Sequence, residues 1–225
     1  RLRAAARQYG IPLTEWIDLS TGINPETYPI PPLDPQCWNR LPEDDDGLDE
    51  AAAAYYGNDR LLALPGSQAG IQGLPTTFPP QAVACVSPVY EEHPHAWIRA
   101  GHKLRRLPTL ARALAAATPL VLVCNPNNPT ATLTLRDALL DAAAQLRRRG
   151  GWLIVDEAFG DAEPENNIVD LAGSETAPNL IVLRSLGKFF GLAGARVGFL
   201  FGAAEKREPI REMIGPWPLS HPSRA

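Results

Sequence analysis

Lys188 is the residue of this sequence best placed to do chemistry, because of what surrounds it. It lies in Ser185-Leu186-Gly187-Lys188-Phe189-Phe190-Gly191-Leu192-Ala193-Gly194-Ala195-Arg196-Val197-Gly198, a small-residue loop in which nothing bulky keeps the side chain from being drawn inward. Burial lowers a lysine toward the free amine that attacks a carbonyl carbon. Asp156 closes the apolar run Trp152 to Val155 and is placed to hold a pyridine nitrogen protonated. A carboxylate beside a cation in a partly dry site supplies about one to three pKa units, or about 1.5 to 4 kcal/mol. An anion has a matching cup: Pro65-Gly66-Ser67-Gln68-Ala69-Gly70 precedes a plausible helix whose amides point outward, and Ser185 and Arg196 add a hydroxyl and a bidentate cation. Taken singly, an Asn-Pro turn, a strand-terminal Asp or a lone Lys each has a plain structural explanation. Together they describe the requirements of pyridoxal phosphate, an electron sink that works only while its ring nitrogen carries a proton.

The elements that must position these groups alternate along the chain. Ala82 to Ser87, Leu120 to Cys124, Trp152 to Asp156 and Leu180 to Ser185 are short unbroken apolar runs, the pattern of strands buried on both faces. Gly47 to Tyr56 predicts a helix that starts after the acidic run Glu43 to Asp46 and stops at Gly57; Leu135 to Arg149 predicts another, with an Ala and Leu stripe. Strands separated by helices imply an α/β fold, three layers with helices covering both faces of a mostly parallel sheet, and ligands then bind beyond the carboxyl ends of the strands. That is where Asn125 to Thr130, Asp156 to Phe159 and the Lys188 loop fall.

These residues resemble the fold-type I pyridoxal-phosphate enzymes of the class I and II aminotransferase group, closest to histidinol-phosphate aminotransferases and to the threonine-phosphate decarboxylases of cobalamin synthesis. The resemblance runs from about Ile17 to Trp217 and is most specific in the Ser-x-Gly-Lys-x-x-Gly-Leu-Ala-Gly-x-Arg-x-Gly block. It implies that Lys188 carries the cofactor, that Asp156 partners the pyridine nitrogen, that Asn128 bonds the ring hydroxyl and that Tyr90 stacks on the ring. It also implies that Gly66, Ser67, Gln68, Ser185 and Arg196 hold the phosphate, and that Gly22, Ile23 and Asn24 border the substrate. Asp18 to Pro25, Tyr90-Glu91-Glu92-His93 and Phe159, where aminotransferases carry a Tyr, resemble the decarboxylase branch. The implied reaction is decarboxylation of L-threonine O-3-phosphate to aminopropanol phosphate. The alternatives are an aminotransferase of the histidinol-phosphate type and a silent relative that only binds cofactor. A homodimer is implied by the same resemblance. Two departures stand out: Ala131 replaces the Gly that follows Asn-Pro-Thr, and Leu41 replaces a Tyr that reaches a neighbouring subunit's cofactor.

Composition bounds the rest. A chain of 225 residues, 45% hydrophobic with net charge −4, is globular and has no polybasic footprint for nucleic acid or anionic membrane. No apolar run approaches the ~20 residues that cross a bilayer, so a cytoplasmic protein is expected. Cys37, Cys85 and Cys124 read as reduced core thiols. His93, His95 and His102 have spacings that match no helix-face metal pair, so no metal is expected and they read as surface or helix-start histidines. The five tryptophans read as packing residues, and Arg147 to Arg149 as a solvated helix end. A plain dinucleotide-binding domain lacks its Gly-x-Gly-x-x-Gly turn. Arg1, where Met is expected, and the proline-rich end at Pro216, Pro218 and Pro222 suggest a piece of a longer chain. The family resemblance implies an arm over 1–40, a cofactor-binding large domain over 41–202, and over 203–225 the start of a largely missing C-terminal small domain that supplies an Arg for the substrate carboxylate.

Overall fold

The computed structural model describes residues 2–225, leaving Arg1 outside. After the amphipathic α1 (Leu2–Tyr9) and an extended arm, the chain alternates through α2 (Leu48–Tyr56), β1 (Leu61–Leu64), α3 (Ser67–Gly73), β2 (Ala82–Val86), α4 (Glu92–Arg99) and β3 (Lys103–Leu107). It continues through α5 (Leu110–Ala115), β4 (Leu120–Cys124), α6 (Arg136–Arg147), β5 (Trp152–Asp156), β6 (Leu180–Ser185), β7 (Gly198–Phe201), α7 (Ala204–Ile214) and α8 (His221–Arg224). The strands form one sheet in the order β1-β7-β6-β5-β4-β2-β3. The pairs β6 with β5, β5 with β4, β4 with β2 and β2 with β3 are parallel, while β7 runs antiparallel to both its neighbours.

Alternate residues of each strand feed two cores, as a pleated strand requires. Val121, Val123, Leu153, Val155 and Val182 pack with Tyr56 of α2, Ala113 of α5 and Leu139 and Leu146 of α6. Leu122, Cys124, Ile154, Ile181 and Leu183 pack with Ile71 of α3, Trp97 of α4 and Ile210 of α7. The expected three-layer α/β architecture is therefore present, and all three cysteines are free and buried. Among the described residues no helix is long and apolar enough to cross a membrane.

Three strands escape the apolar-run criterion. β1 and β7 have only four residues each, and β3 reads Lys-Leu-Arg-Arg-Leu because it is an edge strand whose charges face water and deter edge-to-edge pairing. Helix α2 begins at Leu48, with Gly47 and Gly57 in the left-handed region at φ 90° and 68° flanking it. Asp46 does more than start that helix in solvent: it accepts from Leu48 N and holds Arg224 by Nε at 2.5 Å and Nη2 at 2.8 Å. Arg147 and Arg149 are more than solvated ends, since they donate to carbonyls of Glu175 and Thr176 and of Leu114 and Thr118. Trp97 is fully buried, but Trp38 and Trp217 stand largely exposed and are not packing residues.

One face of the sheet carries a buried ion cluster. Arg184, on β6, donates Nη1 to Glu157 Oε2 at 3.0 Å and Nη2 to Asp161 Oδ1, and its guanidinium lies 4.8 Å from the centre of the Tyr56 ring. Burial pushes the Glu157 carboxyl up to about 7, even with Arg184 and the Ile168 N–H at 2.7 Å opposing it. A carboxyl whose folded value exceeds its unfolded one binds its proton more tightly in the folded chain. Its contribution to stability is therefore complete below about pH 4.5 and is lost as pH rises through about 7. Glu157→Gln is expected to lower stability overall yet flatten its decline across that window, as read from urea midpoints at successive pH values.

Candidate active site

The carboxyl ends of β4, β5 and β6 lie side by side, with Cys124 opposite Asp156 and Asp156 opposite Leu183. A cavity of about 140 Å³ opens there. Ser67, Gln68, Tyr90, Asn128, Asp156, Ser185, Lys188 and Arg196 all line it, so residues dispersed over 130 positions of sequence converge on one space. Gly66 lies behind the wall, where it has a different task. Its φ is +78°, and a side-chain carbon built on it would lie 2.6 Å from Arg196 Nη2, so glycine is what lets the guanidinium approach the first turn of α3. Gly198 is constrained in the same way: a carbon there would collide with Ser67 N.

Asp156 is 6% exposed and has two partners. Its Oδ1 accepts from Ala158 N at 3.0 Å, and its Oδ2 lies 2.7 Å from His93 Nε2. His93 is 1% exposed. Of the surface and helix-start alternatives, the second holds for His93, which is buried in the first turn of α4, while His95 is exposed and His102, buried against Pro75 O at 2.9 Å, is neither. A helical repeat would have found His93, because His93, Ala96 and Trp97 occupy one buried face of α4 at the i, i+3, i+4 spacing. The His93 ring nitrogen, the Cys124 sulfur and the Asp156 carboxylate lie within 4.8 Å of one another. Desolvation holds the Cys124 thiol well above its ordinary value, which makes it a neutral neighbour of the pair.

Other assigned groups are less free than their sequence suggests. The Gln68 amide donates one hydrogen to Glu92 Oε2 at 2.6 Å, which leaves its second N–H and its backbone N–H for an anion. Ser185 Oγ accepts from Gly187 N at 3.2 Å and keeps its own proton to donate. Among the described residues, neither the Asn128 side chain nor Lys188 Nζ has a hydrogen-bond or ion-pair partner, and Arg196 gives Nη1 to Ala193 O at 3.1 Å. Gly22, Ile23 and Asn24 do not line this cavity. With Phe159, Ala162, Lys188 and Phe189 they line an adjoining one of about 220 Å³. Asn24 is occupied in pinning the arm down, its N–H to Lys188 O at 3.0 Å and its amide to Phe189 O at 2.8 Å.

The arrangement is a buried carboxylate, an unpartnered amine and a glycine-lined anion cradle at the carboxyl edge of a parallel sheet. The fold is that of the type I pyridoxal-phosphate enzymes. The profile of class I and II aminotransferases matches residues 35–225, and the chain belongs to that family. It is similar to the threonine-phosphate decarboxylase of Pseudomonas aeruginosa, 49% identical over all of this chain and 67% of that protein. A second relative, the threonine-phosphate decarboxylase of a Sinorhizobium species, is 42% identical over 97% of this chain and 66% of its own length. The fold is shared with the histidinol-phosphate aminotransferase of Sinorhizobium meliloti, solved in complex with pyridoxal 5′-phosphate, with a TM-score of 0.76, 20% identity, and coverage of 100% of this chain and 66% of that one. The chain thus spans about two thirds of the length of these relatives. The family's cofactor is pyridoxal 5′-phosphate, and the residues present fit it: the spaces that Cβ atoms at Gly66 and Gly198 would close are those that leave the Ser67 N–H and the Arg196 guanidinium open to a phosphate.

Next to Asn128, Ala131 stands where the family pattern has glycine, and its φ of 55° shows why glycine suits the place. The turn is held by Ala131 N to Asn127 O at 2.7 Å and Asn127 N to Thr132 O at 2.9 Å. A left-handed conformation costs a residue with a Cβ about 1 to 2 kcal/mol, and the freer unfolded state of glycine takes back part of that. Ala131→Gly is expected to raise stability by about 0.5 to 1 kcal/mol, visible as a higher urea midpoint at an unchanged slope.

Proposed function

We propose that this chain is the cofactor-binding part of a pyridoxal-phosphate lyase that decarboxylates L-threonine O-3-phosphate to aminopropanol phosphate, a step of cobalamin biosynthesis. The observation that carries the reading is the convergence of Lys188, Asp156 and Arg196 on one cavity in a chain 49% identical to a threonine-phosphate decarboxylase. When bound, the cofactor supplies a protonated pyridine ring that accepts the electron pair left on the substrate's α carbon. Asp156 would hold the ring nitrogen's proton, with His93 fixing the carboxylate through Oδ2. Asn128 would bond the ring hydroxyl and Tyr90 would cover one ring face. Arg196, Ser185 and the Gly66 to Gln68 backbone would hold the phosphate. Lys188 would hold the cofactor at its aldehyde carbon and would be the group that supplies a proton to the substrate's α carbon.

Phe159, third after Asp156, offers no hydroxyl to the ring, which favours the decarboxylase branch by resemblance. An aminotransferase reading is favoured by the histidinol-phosphate aminotransferase fold match and would use the same Lys188 and Asp156. We divide the chain into an arm over 1–40, a large domain over 41–202 and the opening of a small domain over 203–225. A homodimer is supported by the apolar residues the arm leaves bare, Ile17 at 83% and Leu19 at 87% exposure. The three unpaired, buried cysteines support a reducing cytoplasmic setting.

The enzyme carrying this chain is expected to release carbon dioxide from threonine phosphate and to form no glutamate from histidinol phosphate with 2-oxoglutarate; the reverse pattern overturns the branch. Asp156→Asn is expected to slow the reaction about 10- to 1000-fold, the equivalent of one to three pKa units of lost support for the ring proton. Lys188→Ala is expected to abolish fixation of the cofactor by borohydride, read by peptide mass.

A further inference from the structure

Lys188 stands at the passage between the two adjoining cavities, which share only it and Phe159 as lining residues. Its Nζ lies 5.3 Å from the centre of the Phe159 ring, within the reach of a cation–π contact. Among the described residues that ring is the one recorded partner of the amine. The same ring presses on the arm: a side-chain carbon at Gly22 would lie 2.7 Å from Phe159 Cε1 and 3.0 Å from Cζ. Gly22 has an ordinary backbone conformation, since it is absent from the positive-φ glycines, so the ring and not the backbone demands glycine there. Nor can the arm retreat, because Asn24 ties it to Lys188 O and Phe189 O two residues further on.

We propose that Phe159 is a positioning residue for the Lys188 amine, its ring face holding the ammonium at the passage, and that residue 22 is glycine because the ring occupies the place a side chain would take. This rests on the reading of Lys188 as the cofactor-bearing residue. The ring contributes only its quadrupole, which attracts an ammonium over its face; Asp156, Arg196 and Tyr90 line the same cavity.

The test is competitive acetylation of Lys188 in the cofactor-free protein, followed by peptide mass against pH. Phe159→Leu is expected to acetylate about two- to fivefold faster near neutral pH, the size of a cation–π contact at a partly exposed site. The excess should vanish at a pH high enough to deprotonate every lysine. Phe159→Tyr keeps the ring face and is expected to match the unaltered protein. Gly22→Ala, whose methyl turns the ring away, is expected to accelerate labelling by itself and to add nothing in the Phe159→Leu background. An unchanged rate in Phe159→Leu, or additive effects of the two changes, overturns the proposal. Should Phe159→Leu lose its cooperative unfolding transition, Gly22→Ala on the exposed arm decides alone. Borohydride fixation on Lys188, run in parallel, tests the functional reading separately: fixation with unaltered labelling sinks the ring's role and leaves that reading standing.

Discussion

A carboxylate at the end of a buried strand must have partners brought to it, and the site is arranged around meeting that need for Asp156. Water cannot reach it in quantity, so one oxygen is served by a backbone N–H of the turn that follows and the other by His93, delivered from α4 on the same face of the sheet. Moving β5 by one residue would turn Asp156 to the opposite face, toward α2 and α6, and away from both His93 and the cavity. The parallel register of β4, β5 and β6 is therefore a condition of the cavity as well as of the fold.

The opposite face of the same strand ends shows the alternating pleat at work. Arg184 precedes Ser185 and Glu157 follows Asp156, so each cavity residue has an immediate neighbour committed to the ion cluster on the far side. Two carboxylates share one guanidinium there, a composition that ties the loop after β5 to β6. Removing one partner of such a cluster is far more damaging than replacing it whole, because the remaining charge is left buried. The rigidity of the cavity's edge is thus supplied in part by residues that never face that cavity.

Much of this was legible beforehand. Lys188, Asp156, Asn128, Tyr90, Ser67, Ser185 and Arg196 could be placed together because strand ends in a parallel sheet converge, and short apolar runs marked β2, β4, β5 and β6. The remainder depended on partners distant in sequence. The burial of His93 at the start of α4 was missed because its spacing was compared with metal sites and not with the buried stripe of that helix. That Glu92 takes one hydrogen of the Gln68 amide was not legible, because nothing local reveals the contact. The edge strand β3 carries charges that its environment allows and a periodicity argument rejects. The packing of Gly22 against Phe159 joins segments 137 positions apart, and no local pattern can report such a contact.

The anion cradle also carries a consequence for how the molecule is assembled. Its walls come from the turn before α3, the end of β6 and the start of β7, and β7 is the antiparallel strand that joins β1 to the rest of the sheet. Until that last strand is seated, Gly198 cannot lie against Ser67, nor Arg196 against Gly66. Occupation of the cradle and seating of β7 are thermodynamically linked, so whatever binds there draws β7 into place between β1 and β6.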